Sequence, residues 1–411
     1  MTAVAPDGKS AADSRKRLPD GWRWVRLAEK CRLINGDAYR ESDWATSGSP
    51  IIRIQNLNDA TKPFNYWAGP LRGRVNVNPG DVLLAWSGTP GTSFGAHIWK
   101  RGSGVLNQHI FRIDFSGGDV LPEWAVIAIN YQLDVLIRKA HGGVGLRHVT
   151  KGEVESLEIP LPSVPEQQRI AAILNEQMAA VERARAAAEA RLEAAKGLPA
   201  ACLRGLFNSA ATGSWPRRKL GEVCQLLPSK SIATDGNTEV QAITTACLTE
   251  TGFAPAGVKS ARMWAGDASE SAVSPGEVLV ARSNTPDLVG RAAMYSGEPS
   301  GVVATDLTIR IWPSRDVTSQ FLALYLSFLY LTGYWKARAG GASGSMKKIT
   351  REQIQGEEIP VPPFGEQEGV AHLLNGQLAD SEHIRKTIEE ECGAINALPA
   401  ALLRRAFTGE I

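Results

Sequence analysis

The sequence predicts an α+β chain in which two mainly-β domains, at 19–145 and 216–342, alternate with two long helical regions, at 146–215 and 343–411. The long helices are expected to pack as an antiparallel coiled coil, which gives the chain a pseudo-twofold internal repeat. Three observations predict this. The stretch EIPLPSVPEQQRIAAILNEQ, which starts at Glu158, returns as EIPVPPFGEQEGVAHLLNGQ from Glu358, 200 residues later. Short apolar runs broken by Gly, Pro and Asn fill the blocks before each copy, the mark of strands joined by turns. After each Glu-Gln pair, apolar or small residues recur at three- and four-residue steps, which is the period of an amphipathic helix.

From the N-terminus, residues 1–18 are small, polar and basic and are expected to form a disordered tail. The β blocks follow from runs such as PIIRIQNL, DVLLAW and GVLNQHIFRIDF, and each block is expected to end in a helix, at 123–139 and 319–338. The longest apolar run, FLALYLSFLYL at 321–331, is too short to span a bilayer and reads as a buried helix. The two halves align beyond the opening pattern. VNPGDVLLAWSGTP (77–90) answers VSPGEVLVARSNTP (273–286), NQHIFRI (107–113) answers TDLTIRI (305–311), and LPAACLR (198–204) answers LPAALLR (398–404). The β blocks match only at framework positions, whereas 146–208 and 346–408 match densely.

Each long helix has its own start signals. Ser163 stands three residues before Glu166, a capping-box spacing, and Pro165 sits in the first turn where a missing N–H costs nothing. The expected seam is Ile170, Leu174, Met178, Val181, Ala184, Ala188 and Leu192, answered by Val370, Leu374, Leu378, Ile384, Ile388 and Ile395. Each helix is expected to run about 28 residues, roughly 42 Å, with Gly197 and Pro199 ending the first. Residues 166–196 carry 5 acids and 5 bases, while 366–391 carry 7 acids and 2 bases. A helix that acidic repels phosphate and suits a protein partner.

Composition excludes several classes. Net charge is +2, so charge alone does not announce nucleic acid. Five cysteines without a CxxC pair argue against a disulfide framework or zinc cluster and fit a reducing cytoplasm. Six histidines show no metal spacing, and no P-loop, nucleophile elbow or dinucleotide fingerprint sits in its proper setting. No catalytic residue, metal ligand or cofactor is expected, and the chain reads as a binding protein.

Candidate binding residues cluster where β-runs pass into loops. In the first block these are Arg53, Gln55 and Asn56, then Ser87 and Thr89, then Asn107, Gln108 and His109. In the second they are Thr244 and Thr245, then Arg282, Ser283, Asn284 and Thr285, then Asp306. Arg suits guanine edges and phosphate, and Asn and Gln suit adenine edges. Glycine-rich loops followed by Arg147, His148 and Lys151, or by Lys347, Lys348 and Arg351, form candidate phosphate clamps.

The doubled EIPLPSVPEQQRIAAILN junction, with PGDVLLAWSG and IIRIQNL, resembles the specificity (S) subunit of type I restriction–modification systems, over nearly the whole chain from about residue 19. The resemblance implies two target recognition domains, each reading one half of a bipartite double-stranded DNA site. It also implies two conserved helical regions that recruit two methyltransferase subunits and, in a complex that cuts, two restriction subunits. S-adenosylmethionine for adenine-N6 methylation, and ATP with Mg, then belong to those partners, and the chain has no cofactor, catalysis or membrane span of its own. Partner docking maps onto Glu166, Gln167, Ile170 and Leu174, and onto Glu366, Gln367 and Leu374. Gly369 and Val370 replace Arg169 and Ile170 in the second copy, so its docking face departs from the first. The alternative is a duplicated carbohydrate- or protein-binding module that dimerises through its helices.

Overall fold

The computed structural model describes residues 18–71, 76–88, 94–139, 147–343 and 345–411. Residues 1–185 and 394–411 form one compact unit, and 186–393 form the other. The compact units therefore cut across the linear order, because the end of the second long helix belongs with the first β domain. Thr89, the tail before residue 18 and the glycine-rich stretch 140–146 lie outside the described residues.

In the first unit a four-stranded antiparallel sheet has the order Cys31–Asn35, Ile110–Phe115, Val82–Ala85, Gly95–Ile98. A second sheet has the order Asn65–Trp67, Ser49–Ile52, Gly104–Leu106, Asn76–Val77, and its central pair is parallel. The helices Pro122–Tyr131 and Leu133–Lys139 cover the first sheet. The second unit repeats the plan. Its main sheet runs Cys224–Leu227, Thr308–Pro313, Val278–Ala281, Ala292–Met294, and Thr238–Ile243 pairs in parallel with Val302–Ala304. The apolar 321–331 run forms the helix Ser319–Leu331, with seven buried side chains from Phe321 to Leu329.

The repeated junction has the same job in both units. The strand Glu158–Leu161 returns to pair antiparallel with Arg23–Arg26, and Glu358–Pro360 does so with Arg217–Lys219. Prolines 162 and 362 cannot donate to a ladder, so pairing stops there. The long helices begin two residues on, at Val164 and Phe364. The expected capping role of Glu166 is replaced by a local ion pair. Both of its oxygens accept from Arg169 at 2.8 Å, which holds the carboxyl below its ordinary range.

The helices are longer than the expected 28 residues. The first runs Val164–Lys196, 33 residues, and the second Phe364–Thr408, 45 residues. The difference lies at one position. Gly197 breaks the first helix and caps the start of Leu198–Phe207, with Pro199 in its first turn. Ala397 stands at the equivalent place, and the second helix continues with Pro399 inside it. Glycine costs about 1 kcal/mol relative to alanine in a helix interior, enough to decide between break and continuation beside a proline.

The buried positions of the first helix include Leu174, Val181, Ala188 and Ala195, and of the second Leu374, Ser381 and Ile388. Steps of seven are the seam of a left-handed coiled coil. Ala184 and Ile384, expected on the seam, fall outside it: Ile384 is 44% exposed, while Ser381 is buried and donates to the Gln377 carbonyl. Pairing is antiparallel inside each unit. In the first, Arg169 reaches the Ile411 carbonyl and Arg185 reaches Asn396. In the second, Arg191 pairs with Glu391 at 2.9 Å and Leu203 packs with Ala371 and Leu374.

Each domain core is closed by an aromatic residue from the end of a conserved helix. Phe407 stacks on Tyr131 at 3.9 Å between centroids and meets Trp22 and Trp124. Phe207 sits among Phe321, Tyr325 and Phe328. All five cysteines are free. Burial pushes the Cys31 and Cys224 thiols up to about 12, so both stay protonated and unreactive at neutral pH.

Candidate nucleic-acid interface

Strand register draws four separate segments together in each unit. In the first, Ile52 and Leu106 are partners in a parallel pair, so the next residues, Arg53 and Asn107, lie side by side, and the Asn107 N–H donates to the Ile52 carbonyl at 3.1 Å. The Trp86 N–H donates to the His109 carbonyl. Strand Arg147–His148 pairs with Ser87–Gly88, His148 facing Ser87, and the Val149 N–H reaches the Trp86 carbonyl.

The second unit makes the same set of joins. Ile243 and Ala304 are parallel partners, the Arg282 N–H donates to the Leu307 carbonyl at 2.8 Å, and the Ile349 N–H reaches the Arg282 carbonyl. Ser283 pairs with Lys348, and Asn284 with Lys347. Asn284 Nδ2 also donates to Thr245 Oγ1 at 3.0 Å. Equivalent places carry different side chains: Trp86 against Arg282, His109 against Leu307, His148 against Lys348.

Within this frame the candidates divide. Arg53 is half-buried, lies over the Trp44 ring at 5.1 Å and donates to Asn65, so its guanidinium is held in place. Gln55, Gln108 and Thr285 are exposed. Gln108 Nε2 lies 3.3 Å from His109 Nε2. Lys348 is exposed and Lys347 half-exposed, while Lys151 makes a surface pair with Glu155 at 3.7 Å, a contact of small energetic weight.

Three candidates have their polar groups engaged by the fold itself. Asn56 is 3% exposed. Its oxygen accepts from the Arg53 N–H and its amide donates to the Lys62 and Pro63 carbonyls, so it folds the loop. Thr244 caps a turn, accepting from the Ala246 N–H and donating to the Gly257 carbonyl. Arg351 donates to the Leu226 and Leu227 carbonyls, both at 2.9 Å, so its guanidinium ties down a strand end.

The fold engages most of the docking candidates likewise. Ile170 and Leu174 belong to the core of the first unit and Leu374 to that of the second. Gln167 and Gln367 are fully buried. Of the seven, only Glu166 and Glu366 reach the surface, the latter accepting from Trp215 Nε1. An amphipathic period locates a buried face but not what covers it; here the chain covers it itself.

Trp86 was absent from the candidates. Its Nε1 and the Nδ1 of His109 are buried without a hydrogen-bond partner among the described residues, their rings 5.5 Å apart, and Arg282 Nε is in the same condition at the place equivalent to Trp86. The alignment of AWSG with ARSN marks this position in the sequence. Burial lowers the pKa of His109, and of His97 in the strand Gly95–Ile98. The unfolded chain then binds protons that the native one refuses, so stability rises with pH up to about 6.5, the ordinary histidine value, and is flat above it. The β domain at 216–342 has no histidine. Melting followed from pH 7.5 to 5 should show the first unit losing stability through these groups, and His97→Gln should flatten that loss.

Residues 19–188 match the family described as type I restriction modification DNA specificity domain. The chain is 22% identical over 432 residues to the type I restriction enzyme StySPI specificity subunit of Salmonella potsdam, covering 97% of this chain and 91% of that protein. It is 21% identical over 434 residues to the EcoKI specificity subunit of Escherichia coli K12, again covering 97% and 91%. The fold matches a chain of a solved type I R-M system with TM-score 0.75, 20% identity, and coverage of 96% and 100%. It also matches the HsdS subunit of Thermoanaerobacter tengcongensis with TM-score 0.62, 19% identity, and coverage of 97% and 100%. No helix among the described residues is long and apolar enough to cross a membrane.

Proposed function

We propose, from the premise that this chain belongs to the type I restriction–modification specificity subunits, that each unit reads one half of a bipartite DNA site through its four-segment edge. The observation that carries the proposal is the shared backbone joins at the edge of the two units, filled with different side chains. A shared frame with different contents suits two readers with different targets.

On this reading the first half-site is read by Arg53, Gln55, Ser87, Thr89, Asn107, Gln108 and His109, with Trp86 added. The second is read by Thr245, Arg282, Ser283, Asn284 and Thr285. Arg147, His148, Lys151, Lys347 and Lys348 supply phosphate contacts, which position the protein without carrying sequence. Specificity subunits are non-catalytic as a family, so on this reading the reaction belongs to recruited methyltransferase subunits: two copies, adenine N6 as target, S-adenosylmethionine as donor, and ATP with Mg only where restriction subunits join. The two half-sites are separated by an unread spacer of fixed length. The exposed surroundings of Glu166 and Glu366 are the docking places.

Domain exchange tests this. Replacing 20–145 with the equivalent block of another specificity subunit should change one half-site and leave the other, as read by sequencing the methylated sites. A change in both would defeat the assignment of one reader per unit. A finer expectation concerns Arg282→Ala, which should relax one position of the second half-site by about 1–3 kcal/mol. Lys348→Ala should weaken binding evenly across sequences and lower the salt slope by about 1, measured by titration at several salt concentrations.

A further inference from the structure

The paired glutamines at the start of the long helices carry more than helix propensity. Gln167 and Gln367 are fully buried, and every hydrogen-bonding atom of each amide has a partner. Gln167 Oε1 accepts from the Leu121 N–H at 2.9 Å, and its Nε2 donates to the Asp119 carbonyl at 2.8 Å and the Pro162 carbonyl at 3.0 Å. Gln367 Oε1 accepts from the Thr318 N–H at 2.8 Å, and its Nε2 donates to the Asp316 carbonyl at 2.7 Å and the Pro362 carbonyl at 2.8 Å. The two sets correspond atom for atom.

The partners lie at a mechanical junction. Leu121 and Thr318 cap the helices Pro122–Tyr131 and Ser319–Leu331, which pack on the main sheet of each reader. Pro162 and Pro362 form the turn between the closing strand and the long helix. One amide therefore ties together the reader's helix N-terminus, the turn and the first turn of the long helix. Both ends of the amide are needed: the oxygen fixes one helix cap and the two N–H groups fix two carbonyls facing another way. Apolar packing around the joint (Ile170 and Leu174, or Ala371 and Leu374) is non-directional and leaves the angle less defined.

We propose that Gln167 and Gln367 are positioning residues that fix the orientation of each reader on its long helix and so set the spacer length the complex accepts. The inference rests on the bipartite reading above. It assigns the glutamines no contact with DNA or with the methyltransferase.

The test uses the full chain assembled with its methyltransferase subunits. Sites methylated by wild type are sequenced first, and duplexes carrying both half-sites with altered spacers are then offered to wild type, Gln167→Met and Gln367→Met. The expected result is unchanged half-site bases with relaxed spacing: spacers about one base pair longer or shorter gain roughly tenfold relative to the native one, the scale of losing directional hydrogen bonds. A purely structural role would lower total methylation and leave the spacer preference as sharp as in wild type, and that result overturns the inference. Gln167→Asn and Gln367→Asn keep an uncharged amide too short to reach all three partners, and give the same reading if the Met variants do not fold. Hydrogen exchange needs no variant, since fast exchange of the Leu121 and Thr318 amides in the wild-type complex would also overturn it. Wild-type sites without two separated half-sites would instead defeat the bipartite reading, so the two failures are distinguishable.

Discussion

Phe407→Ala is expected to destabilise the first recognition domain, nearly 300 residues away in sequence from much of the core it fills, and to spare the domain that lies closer along the chain. The ring stacks on Tyr131 and touches Trp22 and Trp124, and its neighbour Ala406 is also buried in that core. Truncating a buried aromatic to alanine costs about 3–5 kcal/mol, because transfer free energy is lost and a cavity is left that the backbone only partly closes. The loss is confined because Phe207 performs the same closure in the second unit, among Phe321, Tyr325 and Phe328. Hydrogen exchange resolved by peptide checks this. Protection should collapse across Pro122–Tyr131 in Phe407→Ala and across Ser319–Leu331 in Phe207→Ala. Equal loss in both domains from either variant would contradict closure by the distant helix end. In function, Phe407→Ala should lose the first half-site at a temperature where the second is still read.

That arrangement was only partly legible in the sequence. The repeat showed two equivalent units, and the alternation of Gly, Pro and Asn with apolar runs located the strands, because these patterns report on local backbone chemistry. The division of the chain into compact units was not legible. The repeat predicts the antiparallel packing of the two long helices, but nothing in the stretch from Ala394 to Ile411 states that its end enters the core of the first β domain, since apolar periodicity carries no address for its partner. The heptad seam shows the same limit: Ile384 is the more hydrophobic residue, yet the seven-residue step buries Ser381. The end of the first long helix was legible, because Gly197 stands beside Pro199 where the second copy has Ala397 beside Pro399. For the site, loop position and residue type brought Arg53, Ser87, Asn107 and Arg282 forward, and strand register then joined the segments of the first three within one unit and the segment of Arg282 to its own neighbours within the other. Asn56, Arg351, Gln167 and Gln367 have the same chemistry on paper. Arg351, Gln167 and Gln367 bond to backbone groups distant in sequence and Asn56 to carbonyls within its own loop, and only the fold reveals that those donors and acceptors are already taken.

The second large effect expected is at Arg310. Its side chain is 4% exposed and that of Glu277 is 1% exposed. The guanidinium donates twice to the carboxylate at 2.8 Å and also reaches the Pro228, Glu270 and Ala272 carbonyls. Arg310→Met removes the charge and the donors together and strands a buried carboxylate, which should cost about 3–5 kcal/mol. The equivalent Arg112 offers an internal control, because it pairs with the half-exposed Asp114, where an ion pair contributes about 0–1 kcal/mol. Any larger loss in Arg112→Met would trace to its bond with the Asn76 carbonyl. Glu277→Gln in the Arg310→Met background removes the stranded charge and should recover part of the loss, so a double-mutant cycle by chemical denaturation separates the penalty of an unpaired charge from the worth of the bonds. A single-variant cost below about 1 kcal/mol would show that water or relaxation reaches Glu277 and that the pair does not organise this domain. If the pair does organise it, Arg310→Met should lose the second half-site first as temperature rises, the mirror image of Phe407→Ala.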